Sequence, residues 1–204
     1  PNVDNTIPVR WSYTNNHRPT ISADYSDTGS GINSTKVVLK IDGNVIPISA
    51  DNNSVTGILD YDLAEGQHNV TITVEDNLGN AATTDWWFYT DYTPPTGSLL
   101  VRDNFAPLEN FTGNQWVTLY SIGSDNYEIG WMQFSNDNVI YNDWIDYSTV
   151  YSPWWLTSGS GNKTVWAKYK DKAGNVSVVE IKDDIYFDTT KPGTPTGSPA
   201  KAPR

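Results

Sequence analysis

The 204-residue chain has no cysteine, one methionine and two histidines. Without thiols there is neither a disulfide framework nor a cysteine nucleophile, so packing alone must hold the fold. His17 and His68 are the only imidazoles, and no zincin spacing or phosphate-cradling glycine loop accompanies them. Basic residues are scarce as well: 13 Lys and Arg stand against 24 Asp and Glu, for a net charge of −11. They are not clustered, which excludes the phosphate contacts that nucleic-acid binding requires. No apolar run approaches the roughly 20 residues needed to span a bilayer. Helix signals are missing too. The longest stretch free of Gly and Pro, 131–152, is crowded with Asn, Asp and aromatic residues, which form helices poorly. The chain opens at Pro1 without a signal-peptide pattern, as expected of an excised or processed segment.

What the chain does contain is aromatic and repetitive. Nine Trp and twelve Tyr supply large rings, each burying roughly 150–250 Å². Nineteen of the acids are Asp, a turn residue as much as a charge. The string Asp-x-Thr-x-Pro occurs three times, beginning at Asp4, Asp91 and Asp188, with spacings of 87 and 97 residues. Between these marks the two halves share further pieces in the same order. Asp76-x-x-Gly79-Asn80 matches Asp171-x-x-Gly174-Asn175, and Leu63-x-x-Gly66 matches Leu156-x-x-Gly159. Ser26-Asp27 matches Ser124-Asp125. Matches in a fixed order at near-constant separation mark an internal repeat. We therefore expect one module over 1–90, a second over 91–190, and a Pro/Gly-rich linker or the start of a further module over 191–204. Short junctions with proline would leave little slack, and the chain reads as an interior stretch of a longer array.

Strand signals fill both halves. Val37 to Ile41 runs into Asp42-Gly43, a hairpin turn signal. His68 to Glu75 alternates apolar and polar residues, and 164–169 and 176–181 are also strand-like. The closing strand of the first half puts Trp86, Phe88 and Thr90 on one face and Trp87 and Tyr89 on the other. In the second half Ile185 and Phe187 oppose Tyr186. Gly, Asn, Asp or Pro interrupts the chain with the rhythm of a β-sandwich. The expected fold class is all-β.

The order Ser26-Asp27-Thr28-Gly29-Ser30-Gly31-Ile32, Ile41-Asp42-Gly43, Gly66-x-His68-x-Val70, Asp76-x-x-Gly79-Asn80 and Trp86-x-Phe88 resembles the bacterial Ig-like modules of large secreted and cell-surface proteins, adhesin-type repeats among them. The second half is similar to a related variant, through Met132-x-Phe134-Ser135-Asn136-Asp137, Trp144, Lys163-Thr164-Val165 and Asp171-x-x-Gly174-Asn175-x-Ser177. The resemblance implies two tandem Ig-like β-sandwich modules in an extracellular, cell-surface setting. It also implies a non-catalytic stalk, adhesin or filament segment whose partners are neighbouring modules, glycans or other surface proteins. Two other classes stay open: an accessory carbohydrate-binding module of a polysaccharide-active enzyme, and a subunit of a self-assembling sheath or surface layer. Similar adhesins stiffen their junctions with Ca²⁺, which makes it the one cofactor to consider.

Three sets of candidate residues follow. Asp4, Asp91 and Asp188, with Asp27 and Asp125, are the candidate metal ligands, set against a reading as solvated turns. Asp76 and Asp171 read first as turn residues that accept bonds from their own backbone, since one Asp and one Asn fall short of a calcium ligand count. Trp87, Tyr89 and Trp166 would face outward, and Trp154 and Trp155 sit in a loop-like stretch after Pro153. These rings would either stack on sugars or pack at interfaces. Asn-x-Ser/Thr sequons at Asn33, Asn52, Asn69, Asn110, Asn162 and Asn175 are candidate glycosylation sites. His68 is expected at the surface, because the matching position in the second half is Lys163.

Overall fold

The structure, a computed structural model, describes residues 1–105, 110–191 and 193. The linker expected over 191–204 lies almost wholly outside these residues. Among the described residues the chain is built of strands, with one short 3-10 turn at Ser34–Lys36. In the first half the strands are β1 (Asn2–Ile7), β2 (Tyr13–Thr14), β3 (Ile21–Ser26), β4 (Val38–Ile41), β5 (Asn44–Val45), β6 (Ile48–Ala50), β7 (Ser54–Gly57), β8 (Gly66–Glu75) and β9 (Ala81–Thr90). They form a four-stranded sheet, β1-β3-β7-β6, and a five-stranded sheet, β2-β9-β8-β4-β5. Their inner faces enclose one core that includes Ile21, Leu39, Val55, Ile72, Trp86 and Phe88, all inaccessible to solvent. This two-layer packing of largely antiparallel sheets is the Ig-like sandwich.

The second half repeats the plan with β10 (Thr96–Asp103), β11 (Phe111–Thr112), β12 (Trp116–Ser124), β13 (Ile129–Ser135), β14 (Ile145–Asp146), β15 (Val150–Trp155), β16 (Gly161–Asp171) and β17 (Ile181–Phe187). The sheets are β10-β12-β15 and β11-β17-β16-β13-β14. Val101, Val117, Leu119, Phe134, Val165 and Ile185 are fully buried there. In both halves a two-residue strand runs parallel to the closing strand: Tyr13 pairs with Tyr89, and Phe111 with Tyr186.

The chain divides into two compact units. The first comprises 1–96 together with 124–131 and 169–178; the second comprises 97–123, 132–168 and the remainder from 179. The first unit thus takes in the loop between β12 and β13 and the turn that follows β16.

Several local expectations hold for plain reasons. On β9, Trp86, Phe88 and Thr90 are buried while Trp87 and Tyr89 are half-exposed, as the period of two requires. Asp42 and Gly43 both take positive φ, +49° and +80°, and close the β4–β5 hairpin. Others need correction. The stretch 176–181 is not a strand: Val178 and Val179 are exposed, and only Ile181 opens β17. The reason lies in Ser177, whose hydroxyl accepts a bond from the Tyr169 amide and replaces a rung of the ladder. Trp154 and Trp155 belong to β15 rather than to a loop. His68 is buried, at 6% exposure, because Asp42 meets its Nδ1 at 2.7 Å and the Ala64 carbonyl its Nε2 at 2.9 Å.

Candidate metal centre

Asp91 follows β9 and precedes β10. Its amide donates to the Thr14 carbonyl, and its Oδ1 accepts from the Thr93 amide at 3.1 Å, an Asx turn that ends the strand before Pro94. Tyr92, stacked on His17 at 3.8 Å, anchors the same stretch by donating to the Leu63 carbonyl. These contacts leave Asp91 only 1% exposed, with Oδ2 buried and accepting no hydrogen bond; when protonated the carboxyl donates to Glu65.

Two further carboxylates converge on it. Asp171, fully buried, ends β16; its Oδ1 accepts from the Gly174 and Asn175 amides at 2.7 and 2.8 Å. Gly174 takes φ +100° there, so the tight turn forms without strain. Asn175 ties the pieces together, since its Nδ2 donates both to Asp171 Oδ2 and to the Asp91 carbonyl, each at 2.8 Å. Asp125, in the β12–β13 loop, accepts from the Tyr127 amide through Oδ2, while its Oδ1 is buried without a partner. Oxygens of Asp91, Asp125 and Asp171 all lie within 4.8 Å of one another. Glu65 stands beside them. It accepts from the Asn126 side-chain Nδ2 at 2.6 Å and from the Thr93 hydroxyl at 3.2 Å. All four acids belong to the first compact unit.

The electrostatic consequences are direct. Burial, reinforced by Glu65, Asp171 and Asp125, pushes the Asp91 carboxyl up to about 6. Burial followed by the charge of Asp171 raises Asp125 as well. At Glu65 burial acts upward too, but hydrogen bonds from Thr93, Asp91, Asn126 and the Tyr92 amide outweigh it and hold the carboxyl low. Four acids so placed, with Asp125 Oδ1 buried and accepting no hydrogen bond, are complementary to a cation. The donor set fits a hard one: it is all oxygen, with no imidazole or thiolate, which favours Ca²⁺ or Mg²⁺ over zinc. An all-protein cage of carboxylates and carbonyls suits Ca²⁺, because Mg²⁺ dehydrates reluctantly.

The other expected ligands lie elsewhere. Asp4 sits inside β1 opposite Asp24, so the first Asp-x-Thr-x-Pro string falls within a strand rather than after one. Asp27 accepts from the Gly29 and Gly31 amides. Asp188 does occupy the position after β17 that Asp91 has after β9, bonding the Thr190 amide and donating its own amide to Thr112. It remains exposed and outside the cluster. Asp171 and Glu65 are the members that the sequence reading did not place among the ligands. The Asp-x-x-Gly-Asn string was visible, but its turn used only part of the carboxylate's capacity.

Of the aromatic candidates, Trp166 is half-buried with its Nε1 on Glu180, and Trp154 donates to Asn136 and packs against Phe134. Trp155 is 59% exposed. Trp87 packs on Trp11, and Tyr89 packs with Tyr13 and Tyr127 in a separate group of ring contacts. Asn52, Asn69, Asn110 and Asn162 are exposed, whereas the Asn33 side chain caps the 3-10 turn and Asn175 is engaged with Asp91 and Asp171.

Comparison with known proteins agrees with the fold. Residues 10–91 match the family described as the bacterial Ig-like domain. This segment is a bacterial Ig-like domain. The fibronectin(III)-like modules of Clostridium thermocellum CbhA are similar over 91% of this chain and 94% of theirs, with 17% identity and a TM-score of 0.54. A Ca²⁺-stabilized adhesin with which an Antarctic bacterium reaches out and binds ice is 16% identical, over 91% of this chain and 48% of its own, with a TM-score of 0.44. At such identity the likeness to the CbhA modules shows the Ig-like architecture and nothing finer. No curated protein matches the chain.

Proposed function

We propose that this chain is a non-catalytic stalk segment of an extracellular surface protein, and that a calcium ion held by Asp91, Asp125, Asp171 and Glu65 stiffens the stretch after β9. One observation supports the reading: carboxylate oxygens of Asp91, Asp125 and Asp171 converge within 4.8 Å of one another, with Asp125 Oδ1 buried and accepting no hydrogen bond. Leaving such oxygens bare is costly, and a divalent cation removes both the repulsion and the unmet bonding capacity. The three acids come from chain segments far apart in sequence. An ion shared among them fixes the path between β9 and β10 and resists its bending. A polypeptide of strands, short connections and few exchangeable groups suits reach better than turnover. No helix among the described residues is long and apolar enough to cross a membrane. An acidic surface that draws cations to it accords with an extracellular setting, where calcium is plentiful.

Scanning calorimetry in millimolar calcium and in excess chelator tests the proposal. Calcium at about 100 times its dissociation constant would stabilise the fold by roughly 2.7 kcal/mol. The melting temperature is therefore expected to rise by several degrees, and equal melting temperatures in the two buffers would refute the proposal.

A further inference from the structure

The outer face of β2, β9 and β8, in the same Ig-like unit, carries a feature that the calcium site does not explain. Trp11 packs edge-on against Trp87 at 4.7 Å, and Tyr13 stacks on Tyr89 at 5.1 Å with the planes 22° apart. Backbone bonds hold the rings in register: the Trp11 amide donates to the Trp87 carbonyl, and the Tyr89 amide to the Ser12 carbonyl. On the neighbouring strand Asn69 lies opposite Trp87 and Gln67 opposite Tyr89, both exposed. An aromatic column thus runs beside a column of neutral amides.

Trp11 is the telling residue. It is 54% exposed and has φ +66°, a left-handed conformation that bulky L side chains adopt only at a cost. Folding alone would favour glycine or asparagine there. A large ring kept exposed in a strained backbone points to a role in contact. Charge narrows the partner. In a chain of net charge −11, Arg10 donates to the Asp85 carbonyl, the Asp85 carboxylate accepts from Thr71, and the other charges bordering the rings, Glu75 on β8 and Glu128 beside Tyr13, are acidic. The face is unsuited to a polyanion. A purely apolar partner would bury the Asn69 amide and the donors of Gln67, whose Oε1 already accepts from the Tyr89 hydroxyl at 3.3 Å, without bonds. A pyranose offers both complements, with flat C–H faces for the rings and hydroxyls for the amides.

We propose that this face binds a neutral pyranose chain, with Trp11, Trp87, Tyr13 and Tyr89 as the stacking surface and Gln67 and Asn69 bonding its hydroxyls. The test is native affinity electrophoresis of the whole chain through gels containing hydroxyethylcellulose, galactomannan or xylan, with alginate as the polyanionic control. At least one neutral polysaccharide should retard the protein, and alginate should not. Trp11→Gly and Trp87→Ala should weaken that binding by roughly tenfold or more, the scale of one lost aromatic contact. Glycine accepts φ +66° without strain, so Trp11→Gly is expected to melt within a few degrees of the parent and separates binding from folding. No retardation by any neutral polysaccharide, retardation by alginate alone, or retardation unchanged in both variants would overturn the proposal. None of these outcomes depends on calcium, so the two proposals stand or fall separately.

Discussion

Asp91 is a carboxylate held where a neutral group would be more stable, and that sets its pH behaviour. Its folded value of about 6 lies above the ordinary aspartate value, so the folded chain keeps a proton that the unfolded chain has released. Stability from this residue is complete below about pH 4 and is lost as pH rises through about 6, a loss on the order of 2–3 kcal/mol in metal-free protein. Asp27, Asp51, Asp76 and Asp188 act oppositely: bonds from the Gly31 amide, the Asn53 amide, the Asn80 side chain and the Thr190 hydroxyl, respectively, are the leading causes that hold them low. Their stabilising effect disappears as pH falls through the acid range below the ordinary aspartate value. Melts in chelator between pH 4 and 7 should therefore show a decline toward neutrality that Asp91→Asn reduces, the remainder belonging to Asp125, whose carboxyl is raised as well. At pH 7 in chelator, Asp91→Asn is expected to melt above the parent; in calcium the order should reverse. A variant that melts below the parent in both buffers would mean that the carboxylate serves packing alone.

At the scale of elements, packing in the first sandwich leaves little tolerance. Gly57 on β7 is a useful probe, because a Cβ there would stand 2.5 Å from Ile46 Cδ1 and 2.9 Å from Leu39 Cδ2, both buried. Gly57→Ala should cost about 1–3 kcal/mol through overpacking, read as a lower urea midpoint with an unchanged slope. The strands themselves were legible in sequence. Alternation on β9 and β17 predicts which rings are buried because a strand's faces are fixed by its own period. His68 was not legible, since its burial depends on Asp42, which a separate hairpin delivers. Asp4 and Asp91 share a five-residue spelling, yet one lies in a strand and the other after it, so the string alone does not fix its setting. Asp171 shows the limit most clearly. Its turn is local and legible from the spacing, but the ligand role proposed for it arises only when tertiary structure brings Asp91 and Asp125 beside it.

For the whole molecule, an excess of 11 negative charges would attract cations diffusely even without a specific site. Salt separates the two effects. About 0.5 M sodium chloride screens exposed charges beyond a few ångströms, whereas a buried ligand set is screened far less. The calcium-induced rise in melting temperature should survive that salt; a rise that vanished would indicate diffuse counter-ion binding. The proposed stalk role needs stiffness more than chemistry, and the proposal assigns that stiffness to one calcium ion beside Asp91. Isothermal titration of calcium into chelator-stripped protein at neutral pH is the most direct measurement of that claim. The expected result is one saturable site, lost in Asp91→Asn and in Asp171→Asn. No saturable site, or one that persists in both variants, would contradict it.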